Sequence, residues 1–450
     1  MAALAICYAF GLMPAVSCRG EMALSWKKTS MALPVTPSGV AHPRLILLAI
    51  CLVALMSTAG VAMPYPILAP IFVDAAADGF NHFAGLPPKL LLGMALAANP
   101  LGILIGSTFI GALSDRLGRR RVLLSTLSLT LLGYLLTAWA LDLRWYPLFV
   151  FARFLTGLTE GNVAVARAIV ADLHPQLDRT RSFAILNAVL YMGWLVGPMI
   201  GGFTLPLGEP VPFLIGALTL LPCLAILLWV LPETGRAAGL QGVSLWQTVR
   251  QQQAFRLLQQ DALLAGLFWM QLLFALGVNA FYEFYPLWLV EFAGLGSSGI
   301  AWVTAGLCLM MSLASTVSGK RGLHHDPLRQ ARQSAVIFAL GLLLLSLLPD
   351  GPGVVLVVLL GLPLAIYNAV LPSWCAERFE HHGQGSVMGL LSTIFCISNV
   401  LIAVIGGLLT LLDTRLTLAL GSVMCVLAVV RLNRLIRQAA RMPQLAGAGG

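Results

Sequence analysis

Charge is what this 450-residue chain has least of: 10% of its residues are charged and 59% apolar, with a mean hydropathy of +0.89. A soluble globule carries about a quarter of its residues charged, so that class is excluded and lipid is the expected solvent. The few charges lie in short islands between apolar stretches, as loops between spans require. Other absences narrow the function. The eight cysteines (Cys7, Cys18, Cys51, Cys223, Cys308, Cys375, Cys396, Cys425) include no CxxC pair, and most sit in apolar runs, so they read as small packing residues. There is no HExxH, no Walker-type GxxxxGK[ST] loop and no nucleophile paired with a base. An enzyme is therefore not expected, nor a metal, nor a cofactor. Ala2 to Val16 are apolar but lack the basic lead-in of a signal peptide and are too short to span, so translation from Met22 or Met31 is the preferred reading.

What is present is a series of long apolar runs. A bilayer core of about 30 Å takes about 20 residues of helix, which predicts spans at 45–71, 87–113, 121–141, 146–170, 182–204, 212–231, 262–289, 297–318, 333–349, 353–376, 386–411 and 414–432. The expected fold is an all-α membrane protein of twelve transmembrane helices. Of the 27 Lys and Arg, Lys89, Arg144 and Arg415 fall at one end of the spans and Arg153 and Arg167 inside the fourth; the rest lie at the other end. Because Lys and Arg stay in cytoplasmic loops, both termini are expected in the cytoplasm. The formal charge of +9 thus reflects topology and implies no nucleic acid. The longest polar stretch divides the spans six and six. The expected organisation is a cytoplasmic extension at 1–43, a first bundle at 44–231, a linker at 232–260, a second bundle at 261–437 and a cytoplasmic tail at 438–450.

The loop after the second span reads Gly111-Ala-Leu-Ser-Asp115-Arg116-Leu-Gly118-Arg119-Arg120-Arg121. Gly111 permits close helix approach, Gly118 a turn, and Asp115 a pairing with a basic group or a helix N-terminus. Position by position it resembles the loop motif G-x-L-(A/S)-D-R-x-G-R-R of the major facilitator superfamily. The fifth span carries Gly193-Trp-Leu-Val-Gly197-Pro198-Met-Ile-Gly201-Gly202, small residues for close packing and a proline that bends the axis. It resembles the fifth-helix motif G-x3-G-P-x2-G-G of exporters in that superfamily, the drug:proton antiporters, with Ala184 where the motif usually begins with glycine. The resemblance covers the chain from about Arg44 to Arg437, with the matching loop of the second half, Gly319 to Asp326, degenerate.

The resemblance implies two six-helix bundles that rock about a midplane site, an access latch at the loop of Gly111, Asp115, Arg116, Gly118, Arg119 and Arg120, and an inner-membrane exporter driven by the proton gradient and working as a monomer. A purely topogenic basic loop is the alternative for the latch. Partners on this reading are the lipid bilayer, protons and a small amphipathic substrate; a metabolite carrier or importer of the same fold, or a non-transporting sensor, are the rival readings.

The fourth span carries the costliest residues. Glu160 falls near its midpoint and Arg153 about 10 Å nearer the outer face, on the same side of the helix. A mid-bilayer charge costs at least about 2.5 to 3.5 kcal/mol and so faces a cavity or a partner. The resemblance implies a proton-coupling role for Arg153, within Arg153-Phe-Leu-Thr-Gly157; the assignment of Glu160 rests on depth and burial alone. Burial and a nearby arginine act on a carboxyl proton in opposite senses, so an access change could capture or release one; a static Glu160–arginine pair is the alternative.

Glu283, in Asn279-Ala-Phe-Tyr282-Glu283-Phe-Tyr285-Pro286, is expected about 12 Å beyond the middle of the seventh span and half exposed, either as a coupling residue at the mouth or as a solvated carboxylate. Pro64, Pro66 and Pro70 predict a kinked first span. Asn99, Asn162, Asn279, Tyr282, Tyr367, Asn368 and Asn399 are candidates to line a central cavity, or to bond neighbouring helices. His324-His325-Asp326 and Glu380-His381-His382 have poor spacing for a metal and are expected to be solvated loops.

Overall fold

A computed structural model of the chain describes residues 42–160, 162–173, 176–232, 262–320, 327–348, 350–379 and 384–446. Nearly all of the expected N-terminal extension and of the linker, and both histidine clusters, lie outside these residues. Among the described residues the chain is helical, without strands, as lipid demands of a backbone that must satisfy its own polar groups.

The helices are α1 (Pro43–Ala62), α2 (Tyr65–Ala69), α3 (Pro88–Leu117), α4 (Arg119–Asp142), α5 (Tyr146–Thr159), α6 (Asn162–Asp172), α7 (Arg179–Thr204), α8 (Val211–Val230), α9 (Ala262–Ala293), α10 (Ser297–Lys320), α11 (Pro327–Leu347), α12 (Asp350–Leu359), α13 (Gly361–Arg378), α14 (Gln384–Leu409) and α15 (Thr414–Ala446). Proline stands in the first turn of α1, α3, α5 and α8, where its missing N–H costs nothing. Eleven segments are long and apolar enough to cross a bilayer, counting α1 with α2 and α12 with α13 as single crossings.

Three expectations change, and the kink expected in the first crossing is found. The fourth crossing is not one helix but two, α5 and α6, because the chain leaves helical geometry at Glu160 (φ −77°, ψ 6°). The first is broken at Pro64 and ends in a π-helical turn, Pro70–Asp74. α9 runs to Ala293, beyond the expected 289, which sets Glu283 deeper. α15 continues as helix to Ala446, through the start of the expected tail.

Between α3 and α4 stands the single residue Gly118, at φ 99° and ψ 142°, a conformation that costs a residue with a Cβ about 1–3 kcal/mol. Within the first half, α1 packs on α6, α7 and α8, α3 on α5, and α4 on α5 and α8; within the second, α9 packs on α14 and α15, α11 on α13 and α15, and α10 on α12 and α13. The halves meet through α3 against α14 and α7 against α10.

Trp139, Trp145, Trp229, Trp269 and Trp302 are exposed and lie near helix ends, where an amphipathic ring suits the membrane–water boundary. The three basic residues at the sparsely charged end are each matched. Lys89 pairs with Glu291 (2.6 Å) and Arg144 with Glu209 (2.7 Å), while the Arg415 guanidinium lies 4.2 Å from the centre of the Phe292 ring.

Candidate functional site

Glycines bring the first half's polar residues together. The Gly157 Cα faces the backbone of Asn99, and a Cβ there would collide with the Asn99 carbonyl; Gly102 and Gly106 bring α3 equally close to Phe154 and Leu158 of α5. This approach lets Asn99 Nδ2 donate to Glu160 Oε2 at 2.8 Å. Gly60 of α1 leaves the space that the Tyr134 hydroxyl fills, and that hydroxyl donates to Glu160 Oε1 at 3.3 Å. Both carboxyl oxygens of Glu160, 4% exposed, are thus satisfied from two other helices. Around them Thr130 bonds Thr159 (2.8 Å), Thr126 donates to Asn162 Oδ1, and Asn162 Nδ2 reaches Ser57 Oγ (3.5 Å). Asn162 thereby ties α6 to α1 and α4.

Arg153 lies buried on α5 in electrostatic reach of Glu160, yet the two form no ion pair, and its Nε and Nη1 have no hydrogen-bond partner. A guanidinium left so far from full pairing is costly in low dielectric. Tyr65 of α2 links the halves: its phenol lies in reach of Arg153 in the first and of Glu283 and Asn399 in the second. Its ring is 5.9 Å from that of Trp194 on α7, which is 6.0 Å from Tyr282 on α9.

Glu283 is 3% exposed, not half exposed, and neither carboxyl oxygen has a partner. Its depth follows from the extended α9, whose centre is only about 8 Å away. One turn earlier Asn279 Nδ2 donates to Ser398 Oγ (2.8 Å) and to the Phe395 carbonyl (3.3 Å) of α14, and its Oδ1 has no partner; the Oδ1 of buried Asn399 has none either. Tyr282 donates to Met311 Sδ (3.5 Å). Tyr367 is placed elsewhere than the cavity expectation had it: it stacks on Phe274 (3.7 Å), donates to Gln271 Oε1 (2.7 Å) and belongs to the second half's own core. Asn368 beside it is half-buried.

The fifth-span glycines form a stripe against α1. A Cβ at Gly193, Gly197 or Gly201 would meet Thr58, Ala59 or Met63, and one at Gly202 would meet Ala301 and Ser297 of the second half. Pro198 lies inside α7. In the loop motif, Gly111, Asp115 and Arg116 fall in the last turns of α3, their side chains outside the described residues. Arg119 pairs with Asp172 (2.7 Å), and Arg120 donates to the Leu228 carbonyl (2.6 Å), both within the first half. Among the described residues no three His, Cys, Asp or Glu are grouped as metal ligands.

The halves touch toward the sparsely charged end, where Lys89 and Glu291 lie. Gly93 lies against Ala403 and Gly407, Ser298 Oγ donates to the Gly202 carbonyl (3.3 Å), Phe203 packs on Trp302 (5.2 Å between centroids), and Lys89 reaches Glu291, which also accepts from Thr414 (2.6 Å).

Sequence reasoning missed Tyr65, Tyr134 and Gly60. Tyr134 and Gly60 give no local signal, since each is one residue in an apolar run; Tyr65 stood inside the proline cluster but was valued only for the kink.

Compared with known proteins, the family described as the Major Facilitator Superfamily matches residues 45–403. Tetracycline resistance protein, class B, of Escherichia coli is 33% identical over 180 residues, 39% of this chain and 42% of that protein. The niacin transporter NiaP of Acinetobacter baylyi is 34% identical over 128 residues, 28% of each. The chain thus aligns with less than half the length of these curated relatives. The crystal structure of the human organic anion transporter MFSD10 (TETRAN) matches with a TM-score of 0.63 at 22% identity, covering 87% of this chain and 99% of that one, a likeness of fold.

Proposed function

The chain belongs to the major facilitator superfamily, a multi-pass membrane transporter and not an enzyme, with no cofactor called for, and on that premise we propose that it exports small amphipathic molecules in exchange for protons by alternating access. The observation that carries this reading is Glu160: a carboxyl 4% exposed, held by Asn99 and Tyr134 where the fourth crossing breaks, with the under-paired Arg153 close by. A carboxyl there can take up a proton if the helix break and its two donors shift between access states, and Arg153 supplies the charge that favours release. Glu283 is the second acidic group, on the opposite half.

The loop of Gly111, Asp115, Arg116, Gly118, Arg119 and Arg120 acts as the gate at the inner end, with Arg119 and Arg120 anchoring it to α6 and α8. The glycine stripe of α7, Gly193, Gly197 and Gly201, holds α7 close to α1 inside the first half, and Gly202 gives α7 its close contact with α10 across the halves, where they can rock. The fifth-helix motif and the relationship to a tetracycline resistance protein support the outward direction. On this reading the chain works as a monomer in the inner membrane, as two six-helix bundles joined by 232–260 with both termini in the cytoplasm.

The test is proton movement in reconstituted vesicles challenged with lipophilic cations and neutral drugs, comparing the parent with Glu160→Gln. Substrate-dependent flux in the parent and none in the variant is expected; flux that survives the substitution sinks the role of Glu160. Kinship with a niacin transporter favours a second reading, a metabolite carrier working inward, which the sidedness of uptake in the same vesicles decides.

A further inference from the structure

The surface that the second half turns to the bilayer has an opening that export does not use. Between α11 and α15 lies a groove of about 560 Å³, lined by Arg332, Gln333, Val336, Ile337, Val429 and Asn433. The two helices run antiparallel, and deeper in the membrane they are held together: Ser422 Oγ donates to the Ala339 carbonyl (2.7 Å), and Gly421 leaves no room for a side chain beside Leu342. Toward the start of α11 and the basic end of α15, both walls change from valine and isoleucine to arginine, glutamine and asparagine. Arg332 Nη1 donates to Asn433 Oδ1 at 3.3 Å, which sets this change at one depth on the two helices.

Charge at the polar end is of one sign. Neither α11 nor α15 contains an Asp or Glu, and among the described residues Arg332 has the Asn433 amide oxygen but no carboxylate as partner. One turn farther from the bilayer centre, on the same helix faces, stand two more exposed arginines, Arg329 on α11 and Arg437 on α15. A basic pocket between helices at the boundary of the apolar region attracts an anion. At its other end the groove is continuous with bare apolar surface, since Ile337 and Leu340 of α11 and Val426 and Val430 of α15 are exposed. Free phosphate answers the charge but not the apolar wall. A phospholipid answers both, because it carries a phosphate and an acyl chain at the spacing that the membrane itself imposes.

We propose that the groove between α11 and α15 holds one anionic phospholipid, its phosphate on Arg332 with Arg329 and Arg437 beside it and an acyl chain against Val336, Ile337 and Val429. A guanidinium suits phosphate because its planar fork donates two N–H bonds at once. On the topology proposed above, this end lies in the cytoplasmic leaflet, where anionic lipid is found. A zwitterionic lipid brings its own cationic group to the level of three arginines and is disfavoured. The bound lipid braces the start of α11 against the end of α15, below the contact of Ser422 with Ala339. The site depends on neither the direction nor the substrate of transport.

The experiment is native mass spectrometry of the full chain in detergent, titrated with dioleoyl phosphatidylglycerol, dioleoyl phosphatidylcholine or inorganic phosphate. One phosphatidylglycerol is expected to bind about tenfold or more tightly than phosphatidylcholine, the size of a charge-assisted hydrogen bond. Arg332→Gln should weaken that first binding by about tenfold, and Arg329→Gln and Arg437→Gln each by about fivefold. Val429→Trp fills the apolar part of the groove without changing its charge and should weaken binding by about tenfold as well. Arg44→Gln, which removes an exposed arginine in the first turn of α1, should leave it unchanged. Thermal melting confirms the fold of each variant, and Val429→Trp carries the test should Arg332→Gln fail to fold. Equal affinity for the two lipids, parent-like binding in a folded Arg332→Gln or Val429→Trp variant, the same weakening in Arg44→Gln, or inorganic phosphate bound as tightly as the lipid each overturns the assignment.

Discussion

The two halves bury their acidic residues in opposite ways. In the first half Glu160 has a donor on each oxygen, brought there by glycines that let α3 and α1 come close. In the second half Glu283 lies as deep, and nothing donates to it. The first half satisfies Glu160 through Asn99 and Tyr134 and Asn162 through Thr126 and Ser57, leaving Arg153 as its under-paired group; the second leaves the Glu283 carboxyl and the oxygens of Asn279 and Asn399 without a hydrogen-bond partner. A buried network that is satisfied holds a structure together, while one left open stores a demand that a ligand or proton can meet.

The steepest way to break this contrast is at the glycines. Gly157→Ala places a Cβ on the Asn99 carbonyl, a backbone atom that cannot step aside, and should cost about 1–3 kcal/mol or more. Gly266→Ala in the second half meets only the movable end of Leu435 at 2.8 Å, and the gain of about 1 kcal/mol in helix propensity offsets the contact. Melting temperatures in one detergent should therefore fall for the first and stay level for the second; equal losses would refute the idea that the first half depends on backbone contact.

Next in size is the pair of acids themselves. Glu160→Leu strands the donors of Asn99 and Tyr134 and should destabilise by about 1–3 kcal/mol. Glu283→Leu removes a buried carboxyl that has no hydrogen-bond partner and should be neutral or stabilising, by up to about 1–4 kcal/mol. Opposite movements of the two melting curves sharpen the comparison, and movements of the same sign end it.

Gly118→Ala bears on the joint rather than on either half. It should cost about 1–3 kcal/mol, because only glycine adopts the φ of 99° there without strain, and the same substitution at Gly353, which has ordinary helical geometry against Trp288, tests packing alone. The smallest effect is expected at the ion pair between Lys89 and Glu291. Lys89 and Glu291 keep 27% and 16% of their side-chain surface in the open, so a double-mutant cycle with Lys89→Ala and Glu291→Ala should give about 0–1 kcal/mol of coupling, falling with salt. A coupling that ignores salt would mean that the pair is sealed when the halves close.

Much of the fold was legible because lipid leaves few choices: apolar length set the spans, prolines marked helix starts and the break in the first crossing, and Gly118 announced its turn. The site was legible only in part. Arg153, Glu160 and Glu283 declared themselves by being charged inside apolar runs, whereas Tyr65 and Tyr134 look like any aromatic in a membrane helix until their neighbours are known. The fourth crossing was misread as continuous because composition counts apolar length and does not register a change of backbone angle at one residue. Tyr367 was assigned to a cavity from depth alone, and depth along a helix says nothing about which way around it a side chain points.

By itself the sequence determined that the chain crosses a membrane many times, which loops carry the positive charge, and which residues cost too much to bury without purpose, since each follows from the transfer energies of single residues. Only the tertiary structure decided that Glu160 is satisfied while Glu283 is not, because a hydrogen bond needs two atoms within about 3 Å, and donors from two other helices reach Glu160 while none reaches Glu283.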